Sequence, residues 1–282
     1  MQVTRLDAEG FARSAGDFLA AREAEHNLLL GLTGRLRADA NSYGDDEPYF
    51  AVVEDRGRVV TAALRTPPHQ LVLAETDDPA GYVALAADVH AVFAELPGVS
   101  GPASAIGSFV SAWAALTGAG ARRTMSQRIY EATEAVRPEG VPGGMRQAGD
   151  EDRELLLDWL RAFMREAVPE EAEDATGFLE RRAADPDARL VLWEDGAPVS
   201  LAACGSATPH GIRIGPVYTP PELRGRGYAS ALTAELTREL LAAGRDFCFL
   251  YTDLANPTSN SIYRRIGYRP VTDAEMWRFD GR

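Results

Sequence analysis

Between a short apolar run and a helical pattern the chain reads Val217-Tyr218-Thr219-Pro220-Pro221-Glu222-Leu223-Arg224-Gly225-Arg226-Gly227-Tyr228-Ala229. Gly225 and Gly227 can turn successive backbone N–H groups inward, which builds an anion-binding nest. The helix that starts there adds its dipole and its unpaired N–H groups. Arg224 and Arg226 add positive charge. The guest that fits such a bend is a phosphate or a pyrophosphate.

Three nucleotide-type guests compete. A dinucleotide fingerprint needs a third small residue and an acid at the end of the next strand. Ser230 holds the third position, but Asp246 precedes the next strand instead of ending it. A Walker loop needs lysine. The chain has none, so all 29 of its basic residues are arginine. The diphosphate of coenzyme A is left, and here the spacing is specific. Arg224-x-x-Gly227-x-Ala229, between strand and helix, resembles the Arg/Gln-x-x-Gly-x-Gly/Ala signature of the GCN5-related N-acetyltransferases. A second stretch, Phe249-Leu250-Tyr251-Thr252-Asp253-Leu254-Ala255-Asn256-Pro257-Thr258-Ser259-Asn260-Ser261-Ile262-Tyr263-Arg264-Arg265-Ile266-Gly267-Tyr268, resembles that family's next motif. It is a strand, an Asn-containing turn, and a helix bearing Tyr that ends in Gly-Tyr. The resemblance covers about Met145 to Phe279.

The resemblance implies an acetyl-CoA-dependent N-acetyltransferase. Backbone groups of Val217 and Thr219 would pair with the pantetheine amides. The N–H groups of Arg224, Gly225, Arg226, Gly227, Tyr228 and Ala229 would hold the pyrophosphate. A strand N–H near Val217 or Tyr218 would stabilise the oxyanion. Asn256, with Asn260 behind it, would reach the pantetheine arm. Tyr263 would protonate the departing thiolate as a neutral amine attacks the thioester directly.

Elementary chemistry agrees. A free thiol has a pKa of about 8.5 and tyrosine one of about 10, so a tyrosine stays protonated and can donate. The amine's proton also needs an acceptor. The strand Ile212-Arg213-Ile214-Gly215-Pro216-Val217 carries no acid, so Asp253 at the end of the next strand is the substitute base. Plainer readings stand beside each of these. The glycines could serve a turn alone, and Tyr263 could be a core aromatic beside Ile262 and Ile266. Asn256 and Asn260 could be caps, and Asp253 a turn ligand. Cys204 and Cys248 read as buried fillers. His69 and His210, each after proline, read as turn residues, and Trp159 and Trp193 as core.

The elements that position these residues occur twice. Asp17-Phe18-Leu19 with Ala21 recurs as Asp158-Trp159-Leu160 with Ala162. Glu54-Asp55, Val59 and Ala62-Ala63 recur as Glu194-Asp195, Val199 and Ala202-Ala203. Pro68-His69 recurs as Pro209-His210, and Gly81-Tyr82 as Gly227-Tyr228. The order is kept, which predicts two copies of one mixed α/β domain in tandem. The expected spans are 1–135 and 145–282, joined by a Pro/Gly-rich linker at 136–144. In the second copy, patterning predicts helices from Asp150 to about Glu166, Glu171 to Ala184, Tyr228 to Ala243, and Thr258 to Ile266. Strands are expected at Leu190–Trp193, Val199–Ala203, Ile212–Tyr218, Phe247–Thr252 and Met276–Phe279.

The first copy is expected to have lost the site. Its bend reads Leu73-Ala74-Glu75-Thr76-Asp77-Asp78-Pro79-Ala80, which is short and acidic, with a proline that lacks a donor. Each carboxylate facing a diphosphate would cost about 1 kcal/mol. Trp113 falls opposite Tyr263, so the hydroxyl is missing as well.

Composition bounds the partners. With 42 acidic residues the formal charge is −13, which disfavours nucleic acid and anionic lipid and favours solubility. It also steers cations, so the expected acceptor is a small-molecule or peptide amine, cationic ones included. Two cysteines make no disulfide framework, and no metal site is expected. No signal peptide or apolar span is visible, so a cytoplasmic monomer or homodimer is the expectation. A catalytically silent acyl-CoA-binding sensor or scaffold is the alternative.

Overall fold

The computed structural model describes residues 1–167 and 175–280. The chain divides into two compact units. The first comprises Met1–Ile129, Thr252–Asn256 and Val271–Arg282. It opens with β1 (Gln2–Leu6), α1 (Ala8–Ala20), α2 (Asn27–Ala38), β2 (Tyr49–Asp55), β3 (Arg58–Arg65) and β4 (Leu71–Leu73). Then come α3 (Pro79–Val92), β5 (Gly98–Pro102), α4 (Ile106–Thr117) and β6 (Ala121–Ala132). β1 to β4 pair antiparallel in sequence order, and β4 pairs parallel with β5. The run Tyr49–Val53 is apolar throughout because both of its faces are covered. Tyr49, Ala51 and Val53 face a core with Leu85, Phe109 and Trp113, while Phe50 and Val52 face Phe11, Leu19 and Leu29.

The second unit comprises Tyr130–Tyr251 and Pro257–Pro270. It holds β7 (Gly144–Gln147), a 3-10 turn at Asp150–Asp152, α5 (Arg153–Ala167) and α6 (Ala175–Ala183). Next are β8 (Arg189–Glu194), β9 (Pro198–Gly205), β10 (Gly211–Tyr218) and α7 (Tyr228–Ala242). β11 (Phe247–Asp253), α8 (Pro257–Arg265) and β12 (Arg269–Phe279) complete the chain. The order strand–helix–helix–strand–strand–strand–helix–strand–helix–strand thus occurs twice, as the sequence repeat implies. α7 packs Tyr228, Leu232, Leu236 and Leu240 on one face of β8 to β11. Leu156, Leu160 and Met164 of α5 and Leu179 of α6 pack with Leu192 and Leu201 on the other.

The compact units are not the contiguous spans expected from the repeat. β12 ends the second copy in sequence, yet from Val271 onward it belongs to the first unit. There it pairs antiparallel with β5, from Ala274↔Pro102 to Arg278↔Gly98. Gly98 permits the fit, since a Cβ there would collide with the Trp277 carbonyl. Conversely, Tyr130 and Ala132 are buried in the second unit, and the Val136 N–H donates to the Ile266 carbonyl at 3.0 Å. Strand pairing uses backbone groups common to every residue, so two similar copies offer similar edges.

Three local expectations change. Asp150 does not cap α5. Gly149 opens the turn, and its N–H donates to the Asp152 carboxylate at 2.9 Å. Arg146 holds that carboxylate through two bonds of 2.6 and 2.8 Å, which keeps its pKa down at about 2. Of the expected helix Glu171–Ala184, residues 171–174 lie outside the described residues, and α6 runs from Ala175. The last strand begins at Arg269, well before Met276.

Candidate active site

β10 and β11 run parallel but stay in register only from Gly211↔Phe247 to Arg213↔Phe249. Beyond that point they part. On its other edge β10 follows β9 antiparallel, with a register shift between Ile214 and Val217. A bulge there bends the strand away from β11. The result is a V whose arms end at Tyr218 and in the Tyr251 region. The Tyr218 carbonyl accepts from the Ser200 hydroxyl of β9 at 3.0 Å. Backbone groups alternate along a strand, so those of Val217 and Thr219 face the open side of the V. Thr219 carries a further bond there, because its carbonyl accepts from Arg224 Nε at 2.8 Å.

The chain then turns through a 3-10 turn at Pro221–Leu223 into the bend. Gly225 and Gly227 both take positive φ, +78° and +86°, where side chains are strained. Gly227 has a second reason to be glycine, since a Cβ there would lie 2.9 Å from Val141 Cγ2. Gly227 is also the N-cap of α7, which has no side-chain cap. The N–H groups of Gly225 to Ala229 find no acceptor among the described residues. Uncapped donors at the head of a 15-residue helix are what an oxyanion ligand requires.

The two arginines divide their work. Arg224 pairs with Glu166 at 2.8 Å and lies 5.7 Å from the centre of the Tyr218 ring. It braces the bend. Arg226 is exposed and lies close to the Tyr228 hydroxyl, which donates to Asp195 at 2.6 Å. Ala229 is half-buried in the first turn of α7.

Tyr263 stands on α8, half-buried at the margin of the same core that receives Val217. Its ring meets Tyr268 edge-on at 5.9 Å. Burial pushes its hydroxyl up to about 12. That hydroxyl has no hydrogen-bond partner among the described residues, whereas the Tyr268 hydroxyl bonds Thr237 at 2.7 Å. Asn260, one turn earlier, accepts from the Tyr130 hydroxyl at 3.0 Å.

Asp253 and Asn256 lie in the segment Thr252–Asn256, which belongs to the first unit. Asp253 is exposed, and its Oδ1 accepts the Ala255 N–H at 2.8 Å. The Asn256 N–H donates to the Asp253 carbonyl at 3.0 Å. Both residues thus help shape the turn before α8. Ser200 and Arg213 went unnoticed in the sequence. A serine in the apolar run of β9 and an arginine between two isoleucines were the available signals.

The first unit's counterpart of the bend is closed by its own side chains. The Glu75 N–H donates to His26 Nε2 at 3.1 Å, and the Thr76 N–H to Glu75 Oε1 at 3.3 Å. The Asp78 N–H donates to Thr76 Oγ1 at 3.1 Å, and Asp78 caps the Ala80 N–H at 3.0 Å. α3 begins at Pro79, so Gly81 lies inside the helix, whereas Gly227 precedes α7. Trp113 is buried in the core against Phe109.

Among the described residues no group of three or more His, Cys, Asp or Glu could hold a metal ion, and no helix is long and apolar enough to cross a membrane. Both cysteines are buried, and burial raises their thiols.

A splayed parallel strand pair, a bulge, and a glycine-rich bend at an uncapped helix define an acyl-CoA-type transferase fold. The comparisons with known proteins agree. Residues 194–278 match the family described as FR47-like protein. A mycothiol acetyltransferase of Streptomyces scabiei is 28% identical over 168 residues, 56% of this chain. The match spans about half, 51%, of that relative's length. Among solved structures, a Drosophila protein superposes with a TM-score of 0.69 at 14% identity, over 99% of this chain and 98% of that one. A GNAT-family acetyltransferase from Colwellia psychrerythraea gives 0.56 at 12% identity, over all of both chains. A tandem GNAT protein of the clavulanic acid biosynthesis pathway gives 0.54 at 13% identity, over 98% and 97%. These likenesses show that the chain has the fold of the GCN5-related N-acetyltransferases, in tandem.

Proposed function

We propose that this protein is an acetyl-CoA-dependent N-acetyltransferase whose cofactor site lies in the second unit. The observation that carries the reading is the row of unpaired N–H groups from Gly225 to Ala229 at the uncapped start of α7. The residues present fit a diphosphate there, since two positive-φ glycines leave the donors free. Val217 and Thr219 would hold the pantetheine arm as an added strand, with Asn260 of α8 beside it. When bound, the cofactor supplies the acyl thioester.

The chain's own groups do the rest. The backbone N–H of Val217, on the open side of the V, would stabilise the developing oxyanion. A neutral amine forms the new C–N bond as the C–S bond breaks. Tyr263 gives its proton to the leaving sulfur, and the amine's surplus proton passes to water. Tyr263 is then reprotonated from solvent. Asp253, occupied in its own turn, is left out of this reading.

The first unit is proposed not to bind the cofactor, because its own side chains fill the corresponding donors. Following thiol release from acetyl-CoA across a panel of amines tests the function. Release that no amine accelerates, with coenzyme A still bound tightly, would leave the silent binding protein instead.

A further inference from the structure

We infer that Arg213 anchors an anionic group on the acceptor, which makes the substrate class a carboxylate-bearing amine of the amino-acid type. This rests on the acetyl-transfer reading above. Arg213 occupies the last register shared by β10 and β11, one residue before the bulge begins. That is the crotch of the V. Ile212 and Ile214 turn into the α7 core, so Arg213 points to the opposite face by strand alternation. Its guanidinium lies 4.8 Å over the Tyr251 ring, which holds the plane of the fork.

Three other arginines of this unit hold carboxylates: Arg146 that of Asp152, Arg224 that of Glu166, and Arg245 that of Asp187. The Arg213 side chain has no ion pair or hydrogen bond among the described residues, and its Nε is sealed from solvent without an acceptor. A partly desolvated cation lacking a counter-charge is costly, and a ligand carboxylate offsets that cost. A guanidinium fork matches a carboxylate edge with two parallel bonds. Two residues along the same strand, Arg182 of α6 donates to the Gly215 carbonyl at 3.0 Å, which brings a second guanidinium to this stretch. The chain as a whole carries −13, so its far field attracts ammonium groups and repels anions. A zwitterion satisfies both: its ammonium is drawn in, and its carboxylate is held only at the crotch.

The test uses the full chain and matched pairs of amines, an α-amino acid and its carboxamide, with rates corrected for the fraction of neutral amine. The expected result is a KM about tenfold or more lower for the acid, which corresponds to ~1.4 kcal/mol. Arg213→Gln should bring the acid-to-amide ratio close to one, and Arg213→Lys should restore part of it. Because the ratio is internal to each variant, a general loss of stability does not move it. Calorimetry of the acid against the CoA-loaded protein reads the same preference without turnover. If no amine is acetylated but acid binding disappears in R213Q, the transfer reading fails and the anion post stands. If acid and amide behave alike in the wild type, or R213Q weakens both equally, the anion post is overturned while acetyl transfer stands.

Discussion

The bend before α7 contains two glycines with the same backbone sign but different surroundings, and that difference can be measured. Gly225 at φ +78° faces open space. Alanine there incurs only left-handed strain, about 1–2 kcal/mol. Gly227 at φ +86° incurs the same strain and also drives a Cβ to 2.9 Å from Val141 Cγ2. Overpacking of that kind costs typically ~1–3 kcal/mol. Gly227→Ala should therefore destabilise the protein by about 2–5 kcal/mol, against ~1–2 for Gly225→Ala. Val141→Ala in the Gly227→Ala background should return the steric part and leave the strain. Urea unfolding gives the stabilities, and calorimetry with coenzyme A gives the affinities. The N-cap shift in Gly227→Ala should weaken coenzyme A at least about tenfold, ~1.4 kcal/mol. The reasoning is refuted if the double variant is no more stable than Gly227→Ala, or if Gly227→Ala binds coenzyme A as the wild type does.

Tyr263→Phe should leave coenzyme A affinity nearly unchanged and slow turnover about 10²-fold or more. Because burial holds the Tyr263 hydroxyl near 12, its acid form persists through the alkaline range. kcat/KM should rise with pH as the amine deprotonates and show no descending limb until the pH nears that value. Calorimetry should give one coenzyme A per chain. Asp78→Ala, which removes the α3 cap, should cost about 1 kcal/mol of stability without opening a second site. Buried His26 donates through Nδ1 to Leu19 and accepts through Nε2 from Glu75, so only its neutral form fits. Burial lowers its pKa below the usual 6.5. Its contribution is complete above that value and fades as pH falls below it, because the unfolded chain takes up the proton first. Melting temperature should therefore drop between pH 7.5 and 5.5, and His26→Gln should flatten the drop; an unchanged slope would count against the buried-histidine account (roughly one such step below pH ~6.5 is expected).

The sequence determined whatever depends on residue type and short spacing. The period of the α7 leucines, the apolar runs of β10 and β11, and the two glycines of the bend specify a strand, a turn and a helix locally, and they specify it twice. The acidic, proline-bearing first bend likewise set it apart from the second in residue type alone. Tertiary structure decided what depends on distant partners. Arg224 is held by Glu166, 58 residues away. Asp253 spends an oxygen on its own turn. The His26 ring that closes the first bend lies 49 residues from the N–H it accepts. Arg213 was one arginine among 29 until the sheet placed it where two strands part. Which edge takes β12 was hidden for the same reason: backbone pairing is blind to side-chain identity, and only the packed fold chooses between two like edges.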